Sequence, residues 1–197
     1  AERAPRGMWR AKPSLEIHVT EHNRIIAILA YFGGKMKFDV WIGEREQKNK
    51  VNNKPLSNYV SRKFKKGLIL EGITDILLEQ AKHIDVLWVR NGKVEYAFEI
   101  EYSTAITESV RRLKSIPYET KRIIVIPKER ERQLWKKFEY LLSVGMISRE
   151  DINSMYKLYF SDVRAIRSIT KQSELDRMLR PLIHETSTQT KLTMWSQ

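Results

Sequence analysis

At 197 residues, with 42% hydrophobic and 30% charged residues, the chain has the length and mixture of one folded domain able to bury a core. Its 36 Lys and Arg against 24 Asp and Glu leave a formal charge of +12, which favours a polyanionic partner, nucleic acid before ribosome or anionic membrane. The absence of cysteine excludes disulfides, thiolate nucleophiles and cysteine-bound zinc, and no apolar run approaches the roughly 18 residues of a membrane span.

The first dozen residues are polar, and Arg3, Arg6, Arg10 and Lys12 precede no apolar signal core, so a soluble, cytoplasmic protein is expected. A helix is predicted from about Ile17 or Thr20 to Phe32, with Ile25, Ile26, Leu29 and Phe32 along one side and Gly33-Gly34 as its stop. A strand follows from Met36 to Ile42, in which Met36, Phe38, Val40 and Ile42 alternate with Lys37, Asp39 and Trp41. From Gly43 to Lys66 the chain is polar and basic, with few candidate core residues. It reads as a solvated excursion or as a DNA-contacting loop carrying Arg45, Lys48, Lys50, Lys54, Arg62, Lys63, Lys65 and Lys66. A second helix is placed near Ile73 to Lys82. Strands from Ile84 to Arg90 and from Lys93 to Tyr102 are split by Asn91-Gly92, a strong hairpin signal. Beyond them come a helix from about Ala105 to Ile116 ending before Pro117, a buried strand from Lys121 to Ile126 and a helix from Glu129 to Ser143. A strand from Met155 to Phe160 and helical patterns at about 162–169 and 173–182 complete the chain. The order predicts an α/β (α+β) fold, a mixed central β-sheet flanked by helices.

The strand from 94 to 102 carries the most chemistry. Val94, Tyr96, Phe98, Ile100 and Tyr102 alternate with Glu95, Ala97, Glu99, Glu101 and Ser103, so a period of two sets Glu99 and Glu101 on one face, about 7 Å apart. Asp85 lies among Ile84, Val86, Leu87 and Trp88, surroundings that disfavour a charge. Two readings stand open. Glu99 and Glu101 are the wet face of an edge strand with Asp85 at a strand start, or the three acids form a cluster joined by a hard divalent cation such as Mg²⁺. A strict two-residue turn at Asn91-Gly92 pairs 90 with 93 and sets Asp85 opposite Phe98, on the wrong face. Asp85 opposite Glu99 needs a three-residue loop or one β-bulge, and that irregularity is predicted.

The stretch "IDVLW", followed by "FEIEYSTAITESVRRL" with 14 residues from Asp85 to Glu99, resembles the PD-(D/E)XK nuclease superfamily and, within it, type II restriction endonucleases. The resemblance covers roughly residues 15–130, is sharpest from Ile84 to Arg112, and implies a single nuclease domain over 1–197 with a C-terminal extension at about 131–197. Glu101 stands where lysine is usual, and no proline precedes Asp85; some restriction enzymes carry Glu-X-Glu. By this resemblance Asp85, Glu99 and the Ile100 carbonyl would ligate one Mg²⁺. Glu101 would bind a second metal or orient and deprotonate the attacking water, and Glu21 would add a further carboxylate. Ser103, Thr104 and Arg112 match the "ST…R" positions after the motif, with Arg112 holding a phosphate or pairing with an acid. The implied function is Mg²⁺-dependent cleavage of double-stranded DNA by a type II restriction enzyme, a homodimer by analogy. A repair or recombination nuclease of the same fold and a non-catalytic DNA-binding module are the alternatives. Basic helices around Arg111, Arg112 and Lys114 and around Arg164, Arg167, Arg177 and Arg180 serve either. A rival motif, His18-Val-Thr-Glu21-His22, reads H-x-x-E-H, the inverted zinc-peptidase pattern with Glu21 as general base. Thr20 as an N-cap would leave His18 outside the helix and weaken it.

Overall fold

The computed structural model describes residues 2–3, 9–10, 13–102 and 106–182. In chain order the elements are β1 (Glu2–Arg3), β2 (Trp9–Arg10), α1 (Pro13–Lys35), β3 (Asp39–Ile42), β4 (Lys50–Val51), β5 (Lys54–Pro55), α2 (Asp75–Ala81), β6 (Val86–Arg90) and β7 (Lys93–Ile100). They continue with α3 (Ile106–Lys114), β8 (Lys121–Ile126), α4 (Glu131–Ser143), α5 (Arg149–Asn153), β9 (Met155–Tyr159), α6 (Phe160–Ala165), α7 (Gln172–Met178) and β10 (Arg180–Pro181). Six strands form one mixed sheet in the order β10-β9-β8-β7-β6-β3. β7, β8 and β9 run parallel, linked by helical crossovers through α3 and through α4 and α5, and the remaining neighbours are antiparallel. The expected mixed sheet flanked by helices is therefore present. No described helix is long and apolar enough to cross a membrane.

Helix α1 begins at Pro13, whose fixed φ and missing N–H suit the first helical position, so Thr20 lies inside the helix and is not its N-cap. It also runs through Gly33-Gly34 rather than stopping there. The indole of Trp88 explains the first glycine: a Cβ on Gly33 would lie 2.4 Å from Trp88 Nε1, and the Trp88 N–H donates to the Leu29 carbonyl at 3.2 Å. The helix ends at Lys35, and a turn over the next two residues closes it. There the Phe38 N–H reaches the Gly33 carbonyl and the Lys37 N–H the Gly34 carbonyl, both at 3.0 Å, with Lys37 itself in the left-handed region at φ 63. Under α1, Trp88 packs on Phe98 at 4.8 Å, Tyr96 at 5.2 Å and Phe38 at 5.3 Å between ring centroids, which fixes one face of β6 and β7 as core.

The basic segment from 43 to 66 is not a solvated excursion. Leu56, Val60 and Phe64, four residues apart, are buried, the first and last in short 3₁₀ turns and Val60 capping the first turn, and Phe64 meets Trp41 edge-on. Ser61 closes the outer edge of β3: its hydroxyl accepts the Val40 N–H at 2.7 Å and its N–H donates to the Val40 carbonyl at 2.9 Å. Helix α5 lies where the sequence reading placed no element. The terminal pattern at 173–182 divides into α7 and the edge strand β10.

Candidate active site

The β6–β7 hairpin decides where Asp85 goes. Arg90 pairs with Lys93 around Asn91 and Gly92, both at positive φ, as a two-residue turn requires. Val89 pairs with Val94, but Trp88 then pairs with Tyr96, leaving Glu95 as an extra residue on β7. This is the predicted bulge. Past it the ladder runs Leu87–Ala97 and Val86–Phe98, and one further step sets Asp85 against Glu99. The Ile100 N–H donates to Asp85 Oδ2 at 2.7 Å, holding the carboxylate at the end of the ladder.

β7 lies between β6 and β8, so Glu99 and Glu101 are not the wet face of an edge strand. Glu99 is 0% exposed, Asp85 6% and Glu101 7%. Helix α3 supplies their partners. Arg112 grips Glu99 through both oxygens, Nε to Oε1 at 2.7 Å and Nη2 to Oε2 at 2.5 Å, while the buried Ser109 hydroxyl donates to Glu101. Burial and the charge of Asp85 push the Glu99 carboxyl well above the usual carboxylate range, against the pull of Arg112. Burial, opposed by the Ser109 hydrogen bond and reinforced by Asp85, also raises Glu101. Burial works against the Arg112 charge, yet Glu99, Asp85 and Glu101 together hold the guanidinium more firmly protonated than an ordinary arginine.

On the other side of Asp85 stands α1. His22 Nε2 lies 3.4 Å from Asp85 Oδ2, and its Nδ1 lies 3.9 Å from Glu46 Oε2. Burial disfavours its charge but is outweighed by Asp85 and Glu46, which lift the imidazole to about 9. Glu46 in turn accepts from Asn49 Nδ2 at 2.6 Å, and the same amide reaches Asn23 Oδ1 at 3.3 Å. Burial and Asp85 raise the Glu46 carboxyl as well. Sequence reasoning assigned neither Glu46 nor this place for His22. The available signal was that Glu44 and Glu46 are the only acids in a stretch otherwise strongly basic.

The candidate residues thus separate. Asp85, Glu99, Glu101, the backbone of Ile100 and Arg112 come together. Glu21 does not join them: it pairs with Arg164 and, at 3.8 Å, with Arg24, lining a separate cavity with Tyr31 and Tyr59. In the H-x-x-E-H motif, Glu21 accordingly faces those arginines while His22 faces Asp85, and the His18 side chain lies outside the described residues. Ser103 and Thr104 also lie outside them. Arg45, Lys48, Lys50, Lys54, Arg62, Lys63, Lys65 and Lys66 are all exposed on the covering segment. Elsewhere Arg111 pairs with Glu108, Lys114 with Asp151 and Arg180 with Asp162, so those cations already have carboxylate partners.

Among the described residues no group of three or more His, Asp or Glu side chains is disposed, as it stands, to hold a metal ion. Arg112 takes both Glu99 oxygens and Ser109 donates to Glu101. The chemistry of the donor set nevertheless fits a hard divalent cation. The three carboxylates are buried oxygen donors close to one another, and the Arg112 guanidinium lies against Glu99.

A family model described as "Type II restriction enzyme NmeDI C-terminal domain" matches residues 5–182. The chain is 27% identical over 124 residues, 58% of its length, to the "Type II restriction enzyme NmeDI" of Neisseria meningitidis serogroup C, and the match spans 35% of that relative. No solved structure matches significantly. With the family model covering most of the chain, the protein belongs to the family of type II restriction enzyme NmeDI C-terminal domains.

Proposed function

We propose that this chain is the Mg²⁺-dependent cleavage domain of a type II restriction enzyme, hydrolysing phosphodiester bonds of double-stranded DNA at a PD-(D/E)XK-type site in its Glu-X-Glu form. The observation that carries the proposal is the bulge at Glu95, which sets Asp85 against Glu99 beside Glu101 in a buried cluster of acids. Family membership and the charge of +12 support a DNA substrate. In this reading Asp85, Glu99 and the Ile100 carbonyl would hold one Mg²⁺, and Glu101 would orient and deprotonate the attacking water or ligate a second ion. When bound, the metal polarises the scissile phosphate and lowers the pKa of its water. The Ile100 N–H keeps the Asp85 carboxylate aimed, the Ser109 hydroxyl orients Glu101, and Arg112 balances the negative charge of the three acids. The exposed cations of the 43–66 segment, Arg45, Lys48, Lys50 and Lys54 foremost, contact the phosphate backbone.

Digestion of plasmid and phage DNA with Mg²⁺ tests the proposal. Discrete bands support a site-specific restriction enzyme. A smear or cleavage confined to branched substrates supports a repair-type nuclease, and duplex binding with no cutting in any divalent metal supports a non-catalytic module.

A further inference from the structure

Glu101 also lines a second cavity, of about 220 Å³, whose other walls come from none of the candidate residues above. It lies beyond the carboxyl ends of the parallel strands β7 and β8, where Glu101 continues the sheet through its N–H to the Val125 carbonyl at 2.8 Å. Crevices at the carboxyl ends of parallel strands are the usual ligand sites of such sheets. Its floor is apolar, made by Ile106 at the start of α3, Ile126 at the end of β8 and Leu134 on α4. Its rim is cationic and polar, made by Arg130, Gln133, Lys136 and Lys137 on the first turns of the α4 segment, with Lys136 exposed and Lys137 and Arg130 half-buried. Arg130 is steadied rather than neutralised: it donates to Gln133 Oε1 at 3.2 Å and lies over the Tyr102 ring at 5.7 Å. Lys137 lies over the Tyr140 ring at 5.2 Å. Among the described residues neither has a carboxylate ion-pair partner, in contrast to Arg111, Lys114, Lys157 and Arg180.

We propose that this cavity binds one sugar–phosphate unit of the DNA strand next to the bond being cut. The phosphate meets Arg130 and Lys137 at the rim, and the deoxyribose carbons lie on Ile106, Ile126 and Leu134. The buried Glu101 wall repels the phosphate, so the unit enters in one orientation, phosphate toward α4 and away from the acids. The strand is thereby anchored on one side of Glu101, which positions its neighbouring phosphate at the carboxylates. The inference rests on the nuclease reading for the identity of the strand, though not for the measurement that tests it.

Binding of a fluorescent duplex to the full chain is measured in EDTA over a series of salt concentrations. It is compared for wild type, the double variant Arg130→Gln/Lys137→Gln and, as a control at the opposite end of β7, Lys93→Gln. Loss of one phosphate contact lowers the slope of log K against log salt by about 1 and weakens binding alike on every sequence. That result with an unchanged slope for Lys93→Gln supports the site. A double variant that matches wild type in slope and affinity, or a control that falls as far, overturns it. Leu134→Trp, which fills the floor without altering charge, is expected to weaken binding with the slope retained, and unaltered affinity would remove the sugar seat. Cutting is scored separately with Mg²⁺. A wild type that binds through this rim but never cuts refutes the nuclease reading alone, and a wild type that cuts while the rim variant binds normally refutes this site alone.

Discussion

Replacing Arg112 by methionine is expected to be the most damaging single change on α3. Glu99 is wholly buried and both its oxygens are bonded to the Arg112 guanidinium. Methionine fills the volume of the stem and supplies no charge, leaving a carboxylate under the sheet face with Asp85 and Glu101 as neighbours. Breaking a buried pair by removing one partner costs about 3–5 kcal/mol. For a domain of this size that corresponds to a fall in Tm of about 6–20 °C. Urea unfolding in EDTA at neutral pH, followed through tryptophan fluorescence, to which the buried Trp41 and Trp88 contribute, reads the loss. Neutralising both partners, as Glu99→Gln/Arg112→Met, removes the uncompensated charge and is expected to recover at least about 1 kcal/mol of it. Added Mg²⁺ is expected to raise the Tm of Arg112→Met more than that of wild type, because the ion supplies the positive charge that the variant lacks. A single variant within 2–3 °C of wild type, on the same scale of degrees per kcal/mol, would refute the ion-pair argument. A double variant no more stable than the single would refute the charge argument specifically.

Three other outcomes follow from the same geometry. Gly33→Ala should destabilise by about 1–3 kcal/mol, because its Cβ is driven into Trp88, although alanine in a helix interior ordinarily stabilises by about 1 kcal/mol; a raised Tm would contradict the packing. Asp151 is held down to about 2, since burial is outweighed by the Ser148 N–H at 2.9 Å, by Lys114 and by the Ser148 hydroxyl. A depressed carboxylate stabilises above its unfolded value of 3.8 and loses that contribution as pH falls through about 2. The advantage of wild type over Asp151→Asn should therefore be at most about 2 kcal/mol at pH 5, partly solvated Lys114 setting the upper limit, and should narrow toward pH 2. A gap that is constant or widens with acid would contradict it. Deleting Glu95 converts the bulged ladder to a regular one with Asp85 still opposite Glu99, so DNA cleavage should survive that deletion. Insertion of one residue beside Glu95 should abolish it, and retained activity in the insertion would contradict the register argument.

Much of this site is legible in the sequence because it is local. Strand period sets Glu99 and Glu101 on one face, and the turn at Asn91-Gly92 makes a bulge the condition for Asp85 to join them, a condition met at Glu95. The glycine pair 33-34 shows where locality ends. It carries the same signal whether it stops a helix or admits a neighbour's side chain, and only Trp88, 55 positions on from Gly33, decides. The 43–66 segment misled because its two 3₁₀ turns and the residue capping the first bury Leu56, Phe64 and Val60, and the basic residues between them mask that spacing of four. Glu46, His22, Arg130 and Lys137 come from elements brought beside Asp85 and Glu101 only by the fold, so no spacing announces them.

The central claim is that Asp85 and Glu99 act with a divalent metal on duplex DNA. Cleavage of plasmid DNA in Mg²⁺, measured alongside duplex binding for wild type, Asp85→Asn and Glu99→Gln, tests it most directly. Wild type is expected to cut in Mg²⁺ but not in EDTA, and either variant to cut at least 100-fold more slowly with binding retained, on the order of what removing a group that stabilises the transition state costs. Variants that cut at the wild-type rate, or a wild type that cuts equally well in EDTA, would contradict it.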